Sequence, residues 1–469
     1  MMSGVISMMP MVVFLIWPEE VEYAVGYLVP SCVLISIGFV SWIAFRPKKP
    51  VVLTSMDGGM IVLFSWIVVI FLSALPFRLI LNLGWTQSIF ESVSGWTTTG
   101  LSVVDVTSAP RSILLWRSII QLAGGAGLAI LMLAAITGPV GTGLSSAEGR
   151  SDQLVPNVKR SAKLVVSIYI GYALFGVMAY VISGMSVFDA VNHAFAAIST
   201  GGFSTRVESI GHWDSFQVEE ITIVLMILGN LNFLTAYLFL KGKVRFALKS
   251  GELHVMAVLI PVAFGMLYCL VCRQLYPMMG KGMRVAVFES VSALTTTGFS
   301  TVNYTNWNAI GFLVLILLMI IGGGAFSTAG GIKQVRVYLM IRSFLWGIKR
   351  SFLPRTAVAD YSVWVGDRKE AVSDTQIRRI SDFTVLYFII YFLGVGILAA
   401  HGCGLRESLF EFASSLSTVG LSIGVTQASS PSLILWAEIF GMFLGRLEFF
   451  VIIISLWKLM RDAFETFHR

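Results

Sequence analysis

Four stretches decide the fold. Residues 90–102 read FESVSGWTTTGLS, residues 192–204 NHAFAAISTGGFS, residues 288–300 FESVSALTTTGFS and residues 410–422 FEFASSLSTVGLS. They align without gaps on a core of [T/S]-T-x-G-[L/F]-S. The shared glycines, Gly100, Gly202, Gly298 and Gly420, stand 102, 96 and 122 residues apart. One T-x-G means little, because threonine and glycine are common in membrane helices. Four ungapped copies at near-regular spacing are a specific signal of internal repetition.

The surroundings of these copies are those of a membrane protein. The chain has 469 residues, of which 56% are hydrophobic and 13% charged. Soluble domains carry roughly twice that charge, about 25%. Several uncharged runs approach the ~20 residues that a bilayer demands. The pattern predicts an all-α membrane protein with about ten spanning helices, near residues 2–17, 25–45, 58–76, 112–137, 163–184, 219–240, 254–273, 308–340, 382–401 and 432–458. The first 17 residues lack a basic start, and no small-residue cleavage site precedes Glu19, Glu20 and Glu22. They read as a retained, short first helix.

The net charge of +7 follows membrane orientation, not nucleic-acid binding. Most Lys and Arg fall in alternate loops: Arg46 to Lys49, Arg150 to Lys163, Lys241 to Lys249 and Lys333 to Arg379. By the positive-inside rule these loops and both termini are cytoplasmic. The four glycine cores then all lie on the outer side. About eight to ten small or apolar residues lead into each core, enough for a helix of about 12–15 Å. Such a helix is too short to span, so each segment re-enters on the side it left.

An ion pathway needs this composition. Irregular backbone at membrane depth is tolerated only where it lines a cavity or is buried in protein. Extended backbone around an axis offers carbonyl oxygens in place of a cation's hydration shell. Glycine permits the φ values that keep those carbonyls together. The short helices bring their negative C-terminal ends toward the same axis. The predicted architecture is four helix–pore loop–helix repeats around one central pore, plus an N-terminal helix pair. Its units are residues 1–50 (the extra pair), 51–150, 151–250, 251–342 and 382–469 (repeats one to four), with a cytoplasmic connection at 343–381. That connection, broken by Pro354, reads either as a partner-docking surface or as a solvated loop.

Two further features fall inside apolar runs. Residues 320–333 read IIGGGAFSTAGGIK, with Gly322, Gly323, Gly324, Gly330 and Gly331 around Ser327 and Thr328. Each glycine costs about 0.5–1 kcal/mol in a helix, so the predicted span should break here. A mobile gate beneath the pore loops and close packing through small residues are the two readings. Lys333 either neutralises carbonyls of this segment or marks the cytoplasmic boundary. Arg446 is a guanidinium in the last apolar run. It should face a polar cavity, acting in the pore, or else pair with Glu438 or Glu448 for packing.

Other residues read more plainly. Cys269 and Cys272 fit two small apolar residues one turn apart better than a redox or metal pair. Asp57 reads as a helix cap and His193 as a satisfied packing histidine. Glu91, Glu289 and Glu411 are expected near loops and short-helix starts. Neither a nucleophile–base pair, a metal cluster nor a nucleotide motif stands out, so the chain reads as a non-enzyme without a covalent cofactor.

Thr418-Val419-Gly420 is the T-V-G of the potassium-channel signature. The whole chain resembles the Trk/Ktr/HKT superfamily, and its TrkH-like branch in particular, which has an extra N-terminal helix pair. The resemblance implies a potassium filter of backbone carbonyls from Thr98, Thr99, Gly100 and Leu101; Thr200, Gly201, Gly202 and Phe203; Thr296, Thr297, Gly298 and Phe299; and Thr418, Val419, Gly420 and Leu421. Glycine at the key position of all four repeats implies potassium as the transported ion. Three repeats depart from T-V-G, which implies weaker exclusion of sodium. It further implies gating by the glycine-rich segment and Arg446, a homodimer, cytosolic nucleotide-binding regulatory subunits of the TrkA type and a multi-pass place in the inner membrane. Coupling to a proton or sodium gradient is the alternative, although the repeats are parallel and not inverted.

Overall fold

The computed structural model describes residues 1–44, 55–127, 158–354, 361–365, 368–447 and 449–467. The first predicted helix is α1 (Met2–Met8) followed by a 3₁₀ turn over Met9–Leu15. Pro10 accounts for the change, because it removes a backbone donor. It packs against α2 (Ala24–Ala44). Between them Glu20 is buried, and its carboxylate accepts the backbone N–H groups of Arg111 and Ser112 at 2.9 Å each. This acid caps a helix of the first repeat, where an anion is favoured by the helix dipole.

Repeat one contains α3 (Ser55–Ser73), α4 (Leu75–Ile80), the short α5 (Trp85–Trp96) and α6 (Arg111–Ala126). The predicted continuation of α6 to 137 lies outside the described residues, as do the basic residues Arg46, Lys48, Lys49 and Arg150. Asp57, expected before the helix as its cap, stands inside the first turn of α3 and binds Lys458 Nζ at 2.6 Å. Repeat two contains α7 (Val158–Ile182), the short α8 (Val187–Ile198), α9 (Phe216–Asn230) and α10 (Phe233–Leu240). The span predicted over 219–240 is broken. The chain bends by 110° between α9 and α10, with Leu231 extended and Asn232 accepting the N–H of Leu234 as an N-cap. A side chain that caps a new helix competes with continuing the old one.

Repeat three contains α11 (Gly251–Leu267), the short α12 (Met279–Leu294), α13 (Ala309–Ile321) and α14 (Gln334–Ser351). Residues 322–333 between α13 and α14 are not helical, which breaks the predicted 308–340 span where its glycines cluster. A π turn at Tyr268–Cys272 extends α11. It leaves Cys272 buried and Cys269 exposed, both free. Since α14 runs to Ser351, the connection placed at 343–381 starts inside a helix. It goes on into a hairpin of β1 (Ser362–Val365) and β2 (Arg368–Ala371), paired Ser362 to Ala371. Trp364 holds the hairpin beneath Lys249, whose Nζ lies 4.0 Å from the ring centroid. Repeat four contains α15 (Asp374–Ala400), the short α16 (Leu405–Leu416), α17 (Ser432–Leu447) and α18 (Phe449–Phe467).

Among the described residues five helices are long and apolar enough to cross a membrane, or six with the bent pair taken as one span. The other predicted spans are shorter, broken or continue outside the described residues. The short helices α5, α8, α12 and α16 have 12, 12, 16 and 12 residues, so α12 exceeds the predicted length. Their ends share one register. Trp96, Ile198, Leu294 and Leu416 each stand four residues before the repeat glycine.

Candidate functional site

Each short helix ends in the same way. Thr98, Thr200, Thr296 and Thr418 are left-handed, with φ of 56°, 52°, 53° and 52°. Behind them the N–H groups of Thr99, Gly201, Thr297 and Val419 reach back to carbonyls five residues earlier, at 2.8–3.0 Å. This is a Schellman helix stop, which ordinarily uses glycine at the left-handed position. A β-branched residue there is a true outlier, costing of order 1–3 kcal/mol. Two residues on, Gly100, Gly202, Gly298 and Gly420 take φ of +95°, +70°, +79° and +97°. Four copies of one costly backbone path point to a functional constraint.

The repeats close into a ring through these glycines. A methyl placed on Gly100 would stand 2.2 Å from the carbonyl oxygen of Gly201 in repeat two. On Gly202 it would meet Thr297 O at 2.1 Å, on Gly298 Val419 O at 1.9 Å and on Gly420 Thr99 O at 2.2 Å. Each glycine therefore abuts the carbonyl of the next repeat, and the fourth returns to the first. All sixteen candidate filter residues lie on this ring or directly beside it. Outside it opens a vestibule of about 770 Å³ lined by Gly100, Gly202, Gly298, Gly420, Asp105 and Glu208.

The loop strands leaving the ring are braced by buried groups that the sequence did not single out for this role. Glu91, Glu289 and Glu411 are fully buried; they lie beside the loops as expected, but inside the short helices and not at their starts. Glu91 accepts from Ser102 Oγ (3.0 Å), Val103 N (3.0 Å) and Arg117 Nε (2.7 Å). Glu289 accepts from Thr301 N and Oγ1, both at 2.9 Å. Glu411 accepts from Ser422 Oγ (2.6 Å) and Thr426 Oγ1 (2.6 Å). A carboxylate is tolerated in the interior because these hydrogen bonds stand in for those it lost to water. His193 takes this position in repeat two, with Nε2 2.9 Å from Ser204 Oγ and Nδ1 2.8 Å from Asp189 O. It is thus the satisfied histidine expected, and also the repeat-two counterpart of the three glutamates. Arg117, itself buried, binds Ser204 O at 3.0 Å and joins the exits of repeats one and two.

Directly inside the ring lies the glycine-rich segment. Gly323 N donates to Gly330 O at 3.1 Å and Ile332 N to Ile320 O at 3.0 Å, so the segment folds back on itself. Gly322 and Gly331 are at φ +69° and +77°. Thr328 Oγ1 lies 3.1 Å from Thr200 Oγ1, and Gly330 N donates to Thr296 Oγ1 at 2.8 Å. A methyl on Gly330 would strike Ser417 O and Thr418 Oγ1, each at 2.2 Å. The segment is therefore seated on the base of the candidate filter. Thr98 Oγ1 and Thr418 Oγ1 are buried there without a hydrogen-bond partner.

Several groups hold the segment in place. Asn230 Oδ1 accepts Gly324 N at 3.0 Å and Glu252 Oε1 accepts Ala325 N at 2.7 Å. Thr328 Oγ1 donates to Gly229 O at 2.9 Å, which satisfies a carbonyl freed by the bend after α9. Ser327 Oγ bonds Gly324 O, and Lys333 Nζ donates to Ala329 O. Arg446 Nη1 donates to Thr328 O and Nη2 to Gly124 O, both at 2.6 Å. Glu438 accepts from Thr426 instead, and Glu448 lies outside the described residues. Asn230 and Glu252 went unnoticed in the sequence, although the two asparagines Asn230 and Asn232 in an apolar run are a signal that marks Asn230.

The family model for TrkH, described as a cation transport protein, matches residues 29–466. An uncharacterized cation transporter of Methanocaldococcus jannaschii is 30% identical over 455 residues, covering 96% of this chain and 92% of the relative. The Trk system potassium uptake protein TrkG of Escherichia coli is 30% identical over 466 residues, with 95% and 93% coverage. The crystal structure of the potassium transporter TrkH from Vibrio parahaemolyticus superposes with a TM-score of 0.85 at 27% identity. That match covers 97% of this chain and 95% of the other.

Proposed function

Because the chain belongs to the TrkH family of cation transport proteins, we propose that it is a potassium uptake subunit of the cell membrane. The observation that carries this reading is the closed ring of glycines and carbonyls contributed by all four repeats. Four carbonyls in a ring can replace water around a dehydrated potassium ion without any covalent chemistry. The protein then works as a transporter and not as an enzyme, with potassium as cargo. The filter comprises the four residues of each repeat from the left-handed threonine to the residue after the glycine. The segment from Gly322 to Lys333, tied by Arg446, is the gate. Seated against Thr200, Thr296 and Thr418, it closes the inner side of the path.

The same reading extends to the assembly. The basic loops support a cytoplasmic side for both termini, in an inner membrane. The subunit forms a homodimer and takes its gating signal from cytosolic nucleotide-binding subunits of the TrkA type, through the basic cytoplasmic loops. Purified protein in liposomes under opposed potassium and sodium gradients tests the core of this. Wild type should pass potassium in preference to sodium, and Gly100→Ser should lose the preference. Flux that stays equally selective in the variant would remove these loops from the filter.

A further inference from the structure

At two positions beside the ring repeat two departs from the others, and one side chain from repeat one makes up for both. In repeats one and four, Ser94 and Ser414 accept the N–H of Gly100 (3.1 Å) and Gly420 (3.0 Å). In repeat three, Ser292 donates to Phe299 O at 2.6 Å. Repeat two has Ala196 there and no hydroxyl. Before the ring glycine the other repeats carry Thr99, Thr297 and Val419, whereas repeat two has Gly201. Gly201 is not among the glycines with positive φ, so its backbone does not require glycine.

Gln121, on α6, explains both departures. It is fully buried. Its Nε2 donates to Gly201 O at 2.6 Å, and its Oε1 accepts Phe203 N at 3.2 Å. A methyl on Gly201 would stand 2.4 Å from Gln121 Cδ. The amide thus fills the side-chain space of residue 201 and supplies the brace that Ala196 cannot. The α6 end has internal counterparts. Gly124, Gly229 and Gly445 each abut the carbonyl that ends a short helix, that of Trp96, Ile198 and Leu416. Three residues before these glycines stand Gln121, Met226 and Met442, and Met319 precedes Gly322 by the same interval. The three methionines are fully buried. A polar residue stands at this position only where the next repeat has glycine in place of Thr or Val.

We propose that Gln121 is a specificity-determining positioning residue of the ion path, acting through Gly201. The inference rests on the filter reading above. The Gly201 carbonyl is one of the four in the ring, and it already accepts an amide proton. It has less to give to a cation than the carbonyls of Thr99, Thr297 and Val419, and its position is set by a side chain of the neighbouring repeat. Gln121 therefore fixes both the distance and the field strength of one quarter of the ring, and field strength is one lever of potassium-over-sodium discrimination.

The test uses the full-length protein in liposomes and the potassium-to-sodium flux ratio, which a merely structural role would not move. Gln121→Met keeps the volume and removes both hydrogen bonds. It should change the ratio by about three- to tenfold, the size of one lost hydrogen bond. Gln121→Ala should do the same. Unchanged ratios in both variants would overturn the proposal. Gly298→Ser, measured alongside, separates the two levels. If it loses selectivity while the Gln121 variants do not, only this inference fails. If it also keeps selectivity, the filter reading itself fails.

Discussion

Arg446 Nη1 lies 2.6 Å from the carbonyl of Thr328, 118 residues earlier in the chain. The other arm of the guanidinium binds Gly124 O at 2.6 Å, so one side chain ties repeats one, three and four together beneath the ring. A flat fork with fixed donors can bridge two carbonyls in this way, and a lysine cannot. Arg446→Ala should raise basal potassium flux and blunt its regulation, and Arg446→Lys should recover only part of the control. Liposome flux with and without the proposed cytosolic subunit measures both. Wild-type behaviour of the alanine variant would remove Arg446 from the gate.

Glu252 should act on the same gate from the other side. Its carboxylate accepts the Ala325 N–H, and Asn230 holds the adjacent Gly324 N–H. Each bond contributes about 0.5–1.5 kcal/mol net, more where the acceptor is charged. Loss of both in Glu252→Ala with Asn230→Ala should favour the displaced segment about tenfold or more. Single-channel recording would show longer open times, and an unchanged open probability would count against the clamp.

Gly298 offers the tightest test of the ring. An added methyl would stand 1.9 Å from Val419 O, and φ of +79° is strained for any L side chain. Gly298→Ala should therefore distort repeats three and four together. Potassium flux should fall more than protein yield, and sodium should gain relative to potassium.

The pair Glu91–Arg117 should matter for stability as well as transport. Both side chains are nearly inaccessible and 2.7 Å apart. Removing one partner of a buried pair strands the other charge, at a cost of about 3–5 kcal/mol. Arg117→Met should lower the melting temperature in detergent markedly, and Glu91→Gln with Arg117→Met should be milder than Arg117→Met alone. Additive effects would show that the two charges do not depend on each other.

The half-exposed pair Asp57–Lys458 is the contrast. Its side chains are 37% and 18% exposed, and an exposed pair contributes only about 0–1 kcal/mol. Lys458→Ala should shift melting by no more than a degree or two, and a larger drop would mean that α3 and α18 rely on this contact.

Much of the fold was legible along the chain because it is written in local and repeated signals. Apolar runs, basic loops and four copies of one core identify the helices, their alternation and the pore loops. The glycine-rich break after α13 was legible for the same reason, since each glycine weakens a helix wherever it lies. The bend after α9 was missed because the single Gly229 and the two asparagines Asn230 and Asn232 sit in an otherwise continuous apolar run, which reads as one span. There the helix ends because Asn232 caps a new one and Thr328, from another repeat, binds the Gly229 carbonyl.

The sequence by itself determined that this chain spans a membrane, that it repeats one pore loop four times and that each loop turns on a glycine. Only the tertiary structure decided what each glycine faces, which acid braces which strand, and that Gln121 of one repeat binds the backbone of Gly201 and Phe203 in the next. The reason is physical. Helix length and hydrophobic period depend on neighbours within a few residues, and periodicity displays them. The ring is made of carbonyls and methyl-sized gaps between residues about a hundred positions apart. Backbone carbonyls are the same in every residue, so no side-chain pattern announces which of them will meet.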